Sequence, residues 1–153
     1  MNFKPLFKPE TIAVIGVSST NDNHPANVIY NKNHLRYPAR VYPVNPRGGV
    51  IQREILYKSI SEIPERIDLA VIAVKAEYVP DIIDQCIKHD VRGAVIISGG
   101  FSETGKTEIQ DLITEKAVRA GFPFIGPNCL GIFSPDRVDT FFLPGERLIS
   151  PKK

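Results

Sequence analysis

The chain has no tryptophan, one methionine and only two cysteines in 153 residues. Cys86 and Cys129 are too few for a disulfide scaffold or a thiolate zinc site, and His24, His34 and His89 are scattered along the chain. A redox framework and a structural metal are therefore not expected. Charge of one sign is also missing: 19 Lys and Arg against 17 Asp and Glu leave +2, with no basic block. Bulk attraction to nucleic acid or to an anionic membrane is not indicated, and any phosphate recognition has to be local. No apolar run approaches the roughly 18 to 20 residues of a membrane span, and the first ten residues, MNFKPLFKPE, have no apolar signal core. These absences predict a soluble, cytoplasmic domain with neither nucleic acid nor membrane as a partner. The length suits a single domain, most of which run to roughly 100 to 150 residues.

What the chain does contain is a series of short, continuous apolar runs. Thr11 to Gly16 (TIAVIG) is rich in β-branched residues and stops at a glycine, the pattern of a strand buried on both faces. Leu69 to Val74 (LAVIAV), Gly93 to Ser98 (GAVIIS) and the shorter Phe122 to Gly126 (FPFIG) repeat it. Arg40 to Val44 (RVYPV) makes a fifth strand, and Pro43, which removes a ladder donor, assigns it to an edge or a strand end. Helical spacing lies between these runs. Val79, Ile82, Ile83, Cys86 and Ile87 share one face, as do Ile109, Leu112, Ile113, Ala117 and Ala120 before a stop at Gly121. A weaker helix runs from about Ala26 to His34.

Strands alternating with helices make βαβ units, whose crossovers are right-handed. The expected fold is α/β, a Rossmann-like three-layer domain with an open, mostly parallel sheet of about five strands, occupying residues 11–147. Residues 1–10 are expected to be a lead-in that packs Phe3, Leu6 and Phe7 on the domain surface, and residues 148–153 (LISPKK) a linker or chain boundary.

In such sheets ligands sit beyond the carboxyl ends of the strands, near the point where strand order reverses. The first such loop, Gly16-Val17-Ser18-Ser19-Thr20-Asn21, is not the GxGxxG fingerprint; hydroxyl and amide side chains stand where its later glycines would be. Ser18, Ser19, Thr20 and Asn21 can donate to a phosphate or sugar beside a helix N-terminus, and they equally suit a turn and N-cap cluster. His24, next to Pro25 in the same loop, is a further candidate for ligand contact. After the second strand, Asn45-Pro46-Arg47-Gly48-Gly49 offers no acid for the ribose diol of NAD. A guanidinium beside two glycines suits a phosphate monoester, carried by NADP at the ribose 2′ position and by coenzyme A at the 3′ position; the alternative is an arginine on an ordinary Pro-Gly turn.

The later strand ends add further candidates. Val74-Lys75-Ala76 offers a cation and space for a planar base or a pantetheine chain, unless Lys75 is simply a solvated loop lysine. Ile97-Ser98-Gly99-Gly100 has consecutive glycines that permit positive φ and bring backbone N–H groups toward a ligand. The run Gly126-Pro127-Asn128-Cys129-Leu130-Gly131 puts Cys129 at the ligand edge, as a nucleophile or as a small residue under a tight turn. The second reading is favoured because no sequence-local His or acid supports the first. Cys86, on an apolar helix face, reads as core. No residue is assigned a catalytic role.

In this order, IGVSS, YPVNPRGG, PERIDLAVIAV, GAVIISGGFSE and IGPNCLGI resemble the CoA-binding domain of the NDP-forming acyl-CoA synthetases. That superfamily includes the α subunit of succinyl-CoA synthetase and ADP-forming acetyl-CoA synthetase, and the resemblance covers about residues 8–135. It implies coenzyme A or acyl-CoA as ligand, held by Ser18 to Asn21 in the loop that Gly16 and Val17 open. Arg47, after Asn45 and Pro46, takes the place of a basic residue that contacts the CoA phosphates. Val74, Lys75 and Ala76 would line the adenine or pantetheine path, Ile97 to Gly100 would follow it, and Asn128 with Cys129 would lie toward the thiol and phosphate end.

The implied chemistry is reversible: acyl-CoA and phosphate give acyl phosphate, the phosphoryl group moves to a histidine, and NDP accepts it. That histidine belongs to a following domain, and none of His24, His34 and His89 matches it. The resemblance thus implies a platform that binds CoA without turning over alone, beside the remaining synthetase domains or a β-type ATP-grasp subunit. A non-catalytic CoA- or nucleotide-sensing domain and an NADP-dependent oxidoreductase domain are the alternatives.

Overall fold

A computed structural model describes residues 1–98, 107–127 and 131–141. The chain forms α1 (Lys4–Phe7), β1 (Thr11–Ile15), α2 (Pro25–Arg36), β2 (Arg40–Val44) and a hairpin of β3 (Val50–Ile51) and β4 (Glu54–Ile55). It continues through β5 (Leu69–Ile72), α3 (Val79–Lys88), β6 (Gly93–Ile96), α4 (Thr107–Ala120) and β7 (Phe124–Ile125), and then a second hairpin of β8 (Phe133–Ser134) and β9 (Val138–Asp139). Five strands pair in parallel in the order β2-β1-β5-β6-β7, with Ile12 facing Val41 on one side and Leu69 on the other. Counted along the chain, that order is doubly wound, and it reverses between β1 and β5.

The apolar runs are continuous because both faces of the sheet are covered. Ala13 and Ile15 join Ala70, Ile72, Ala94 and Ile96 beneath Val79, Ile83 and Cys86 of α3 and Ile113 and Ala117 of α4. The alternate residues Ile12 and Val14 join Leu69, Val71 and Val95 beneath Leu6 of α1 and Ala26, Ile29 and Tyr30 of α2. The α/β, Rossmann-like domain expected from the runs is the observed one. Cys86 lies in the first of these layers, and burial pushes its thiol up to about 12, which removes it from thiolate chemistry. Pro43 sits on the edge strand with its backbone turned outward. Its carbonyl accepts from Tyr57 N at 3.0 Å, so the missing N–H costs no rung with β1.

The lead-in differs from the expectation. Pro5 stands in the first turn of α1, and Leu6 is fully buried, because Gly93 of β6 leaves a slot in which a Cβ would lie 2.9 Å from Leu6 Cδ2. Phe3 and Phe7 remain partly exposed. The expected terminal segment, residues 148–153, lies outside the described residues.

Helix α2 is weakly amphipathic because several of its buried residues, Asn27, Lys32 and Asn33, are polar. Lys32 Nζ is 3.2 Å from Asp139 Oδ2 and donates to the Phe141 carbonyl at 2.6 Å. Asn33 Nδ2 donates to the carbonyls of Ile29 and Asp139, both at 2.7 Å, and Asn33 Oδ1 accepts from Asp139 N at 3.0 Å. This network docks the β8–β9 hairpin on the helix. A buried ion pair adds little net stability, yet losing one partner strands the other charge. Asp139→Ala is therefore expected to cost about 3 to 5 kcal/mol in chemical denaturation, and the paired replacement Lys32→Met with Asp139→Leu to recover most of that loss. A single replacement within about 1 kcal/mol of the parent would mean that the pair is solvated, as exposed pairs are.

Candidate functional site

At the reversal point the chain leaves β1 through Gly16, with φ of +110°, and a Cβ there would run into the carbonyl of Ala73 just past β5. Glycine is what lets the two strand ends approach so closely. Gly16 N and Val17 N both donate to the Val44 carbonyl, at 3.0 and 3.3 Å, and the Val17 side chain is fully buried. Ser18 is then held from both sides of its peptide by one buried amide. Its N–H donates to Asn27 Oδ1 at 2.7 Å, and Asn27 Nδ2 donates to its carbonyl at 2.8 Å. Ser18 Oγ accepts from Thr20 N and Asn21 N at 3.1 and 3.0 Å, and Asn21 Oδ1 accepts from Asn23 N at 3.1 Å. His24 caps α2, its Nδ1 accepting from Ala26 N at 3.2 Å, and burial holds its pKa below the ordinary histidine value. The turn reading thus describes Ser18 and Asn21, while Ser19 and Thr20 are exposed on the crest of the loop.

The second loop is joined to the first by Asn45. Its Nδ2 donates to the Val17 carbonyl at 2.7 Å, its Oδ1 accepts from Arg47 N at 2.9 Å, and its carbonyl accepts from Gly48 N at 2.8 Å. Asn45 therefore shapes the turn. Gly48 and Gly49 both have positive φ, +66° and +114°, and a Cβ on Gly49 would lie 3.9 Å from Ser19 Cβ. The two loops stand side by side. Pro46 and Arg47 are exposed on this turn, and the Arg47 guanidinium has no acidic partner among the described residues.

Past β5 and β6 the edge is built from beneath. Val74 packs against the core under α3, Ala76 is buried there, and Lys75 is exposed at the turn. Ser98 is buried, its Oγ accepting from Val74 N at 3.0 Å and donating to the Ile72 carbonyl at 3.4 Å, which ties the two strand ends together. Ile97 packs against the opposite layer. The structure so brings the candidate residues of the first four strand ends to one edge. It turns the side chains of Val17, Ala76 and Ser98 into the protein, because each packs or hydrogen-bonds inward from its strand end. Gly99, Gly100, Asn128 and Cys129 lie outside the described residues.

A concavity of about 340 Å³ lies at the opposite, amino-terminal end of the sheet, lined by Arg66, Asp90, Arg92 and Phe122 among others. Its cations are already engaged: Arg66 Nε donates to the Asp90 carbonyl at 2.9 Å, and Arg92 pairs with Asp68 at 3.2 Å. It offers an anion little. Among the described residues no group of three or more His, Cys, Asp and Glu could hold a metal ion, and no helix is long and apolar enough to cross a membrane.

A family model described as a CoA binding domain matches residues 10–135. The chain belongs to the CoA-binding domain family. Coenzyme A is the ligand of this CoA-binding domain, and the edge suits it, since a guanidinium with no acidic partner among the described residues is carried next to two positive-φ glycines at the end of β2. The α subunit of ADP-forming acetate–CoA ligase I from Pyrococcus furiosus is 34% identical, over 99% of this chain and 34% of that protein. ADP-forming acetate–CoA ligase I from Archaeoglobus fulgidus is 41% identical, over 86% of this chain and 19% of that protein. Among solved structures, dinucleotide forming acetyl-coenzyme A synthetase 1 from Ca. Korarchaeum cryptofilum, in complex with phosphate and ADP, superimposes with a TM-score of 0.85 at 32% identity. That match covers 94% of this chain and 31% of the other. The chain spans between 18% and 34% of the length of such curated relatives.

The residue that sequence reasoning missed is Asn27. It lies within a helix of weak apolar pattern, and its position one turn after a hydroxyl-rich loop is the signal that could have marked it. Lys58, whose stem lies against Gly48, was also passed over.

Gly16→Ala is expected to cost more than about 2 kcal/mol in urea denaturation, because it adds positive-φ strain to a backbone clash. Unchanged stability would mean that the strand ends do not meet there. The lowered pKa of His24 favours the neutral ring in the folded state, so its stabilisation is complete above pH 6.5 and is lost as the pH falls below it. Thermal melting between pH 7.5 and 5 should thus fall more steeply for the parent than for His24→Asn, whose amide accepts as an N-cap at any pH. Parallel curves would remove His24 from the cap.

Proposed function

We propose that this domain is the CoA platform of an NDP-forming acyl-CoA synthetase, an acid–thiol ligase whose phosphoryl-carrying histidine and nucleotide site lie in other domains or in a β-type ATP-grasp subunit. The observation that carries the reading is the exposed Arg47 guanidinium on the Gly48-Gly49 turn, beside Ser19, at a strand end with no acid. A ribose phosphate monoester carries close to two negative charges at neutral pH. Arg47 offers it paired donors in a fixed fork, and the positive-φ glycines let it approach the backbone. The rest of the ligand would run past Lys75 and the end of β6 toward Asn128 and Cys129.

The histidines support a platform that does not turn over alone. The helices that follow β1 and β5 run back from the ligand edge, so His34 in the last turn of α2 and His89 at the end of α3 stand at the far end of the sheet. His34 stacks on Tyr30 with ring centroids 5.2 Å apart, and His24 is spent as a cap. The proposed reaction transfers phosphate onto the acyl group of acyl-CoA with release of CoA, then passes the phosphoryl group from the acyl phosphate to a histidine with release of the free carboxylate, and from the histidine to NDP to give NTP. This chain would hold and orient CoA for that exchange.

Calorimetric titration with CoA, 3′-dephospho-CoA and NADP at fixed salt tests the reading. CoA should bind, and removal of its 3′-phosphate should weaken binding by about ten- to a hundred-fold. Arg47→Met should abolish most of that difference. Binding of NADP without CoA would replace the synthetase reading with an oxidoreductase one, and NDP-dependent acyl-CoA synthesis by this chain alone would overturn the platform.

A further inference from the structure

We infer that Lys58 is a second phosphate ligand, forming with Arg47 a two-cation seat for the ribose phosphate of coenzyme A. This rests on the CoA reading above. Lys58 is distant from Arg47 in the local chain path, on the segment that covers the free edge of β2. Three backbone bonds hold that segment: Tyr57 N to the Pro43 carbonyl at 3.0 Å, Asn45 N to the Tyr57 carbonyl at 2.9 Å, and Leu56 N to the Gly49 carbonyl at 2.9 Å. Lys58 N donates to Glu62 Oε2 at 2.9 Å. The backbone of Lys58 is therefore fixed against the glycine turn.

Its side chain then lies across Gly48. A Cβ on Gly48 would be 3.0 Å from Lys58 Cε, 3.4 Å from Cγ and 3.8 Å from Cδ. The missing side chain lets the lysine stem run flat over the turn, and Gly48 is buried while Lys58 and Arg47 are exposed. The lysine thus delivers its ammonium to the residue that follows Arg47 in the chain.

Neither cation has an acidic partner among the described residues, whereas Lys32, Arg40, Arg92, Lys116 and Arg119 each pair with an acid. Glu62, the acid on this segment, directs Oε2 at the Lys58 backbone and not at its ammonium. Two cations at one glycine turn, neither with an acidic partner among the described residues, match a dianion better than one guanidinium does. Arginine supplies a planar fork and lysine a point charge that reaches a phosphate oxygen from another direction. Solvent screens an exposed seat, so the expected effect is a modest fold-change.

The test measures affinity for CoA and 3′-dephospho-CoA with the 153-residue chain and its Lys58→Met, Lys58→Arg and Lys88→Met variants. Lys58→Met keeps the stem over Gly48 and removes the charge. It should weaken CoA by about three- to ten-fold and leave 3′-dephospho-CoA within about two-fold. Lys58→Arg should keep most of the CoA preference, and Lys88→Met, on α3, all of it. The ratio of the two affinities is a readout that a loss of folding would not move. Equal weakening of both ligands by Lys58→Met, or no weakening of either, would overturn the seat. A parent chain that binds no CoA would overturn the CoA reading itself, before any variant is weighed.

Discussion

An exchange of two hydrogen bonds between the buried Asn27 amide and the backbone of Ser18 fixes the first loop, and the ligand edge is built outward from it. The Asn27 amide is fully buried and would cost about 1 to 3 kcal/mol if left unpaired, which favours the loop shape that satisfies it. A dinucleotide-binding loop reaches its shape through the freedom of its glycines. Here Gly16 alone supplies positive φ, and side-chain amides do the rest. Asn45 repeats the device on the neighbouring residue by taking the Val17 carbonyl. Two consecutive residues, Val17 and Ser18, are thereby stapled to helix α2 on one side and to the second loop on the other. That is why Ser19 comes to rest beside Gly49.

The same helix carries polar anchors at its other end. Asn27 faces the ligand edge, whereas Lys32 and Asn33 hold the Val138–Asp139 strand and the Phe141 carbonyl. Ala26 beside the first anchor, with Ile29 and Tyr30 between the two, buries a conventional apolar stripe against Ile12, Val14 and Val71. Helix α2 is therefore located by hydrogen bonds at both ends and by packing in the middle. A rotation that improved its apolar contacts would break bonds at one end or the other.

This division explains how much was legible in the sequence. The three central strands β1, β5 and β6 were, since a strand buried on both faces leaves an unbroken apolar run, and so was α3, whose Val79, Ile83 and Cys86 are fully buried at helical spacing. The network around Asp139 was not, because its partners are more than a hundred residues apart and polar residues in a helix read locally as solvated. The two hairpins, with two-residue strands, are too short for any period. Burial of Leu6 depends on a side chain that Gly93 lacks, and no pattern around Leu6 records it. At the site the loops were legible and the direction of their side chains was not. Glycines and hydroxyls at strand ends mark where a loop must turn, but whether Val17, Ala76 and Ser98 face in or out depends on which neighbour each strand end meets.

Charge placement follows from the same economy. A net charge of +2 offers a phosphate-bearing ligand almost no long-range attraction, so recognition has to come from cations left uncompensated in one place. At the amino-terminal end of the sheet Arg66 and Arg92 are bound to a carbonyl and a carboxylate of the chain itself. At the carboxyl end Arg47, Lys58 and Lys75 stand without an acid among the described residues, and the turns that carry them are fixed by backbone bonds and glycines. A side chain on such a turn loses less freedom on binding than one on a mobile loop, which lowers the entropic cost of holding a ligand at a solvent-exposed edge. The glycines at positions 48 and 49 thus act twice on this turn, by giving the backbone its positive φ and, at Gly48, by leaving the space across which the Lys58 stem lies.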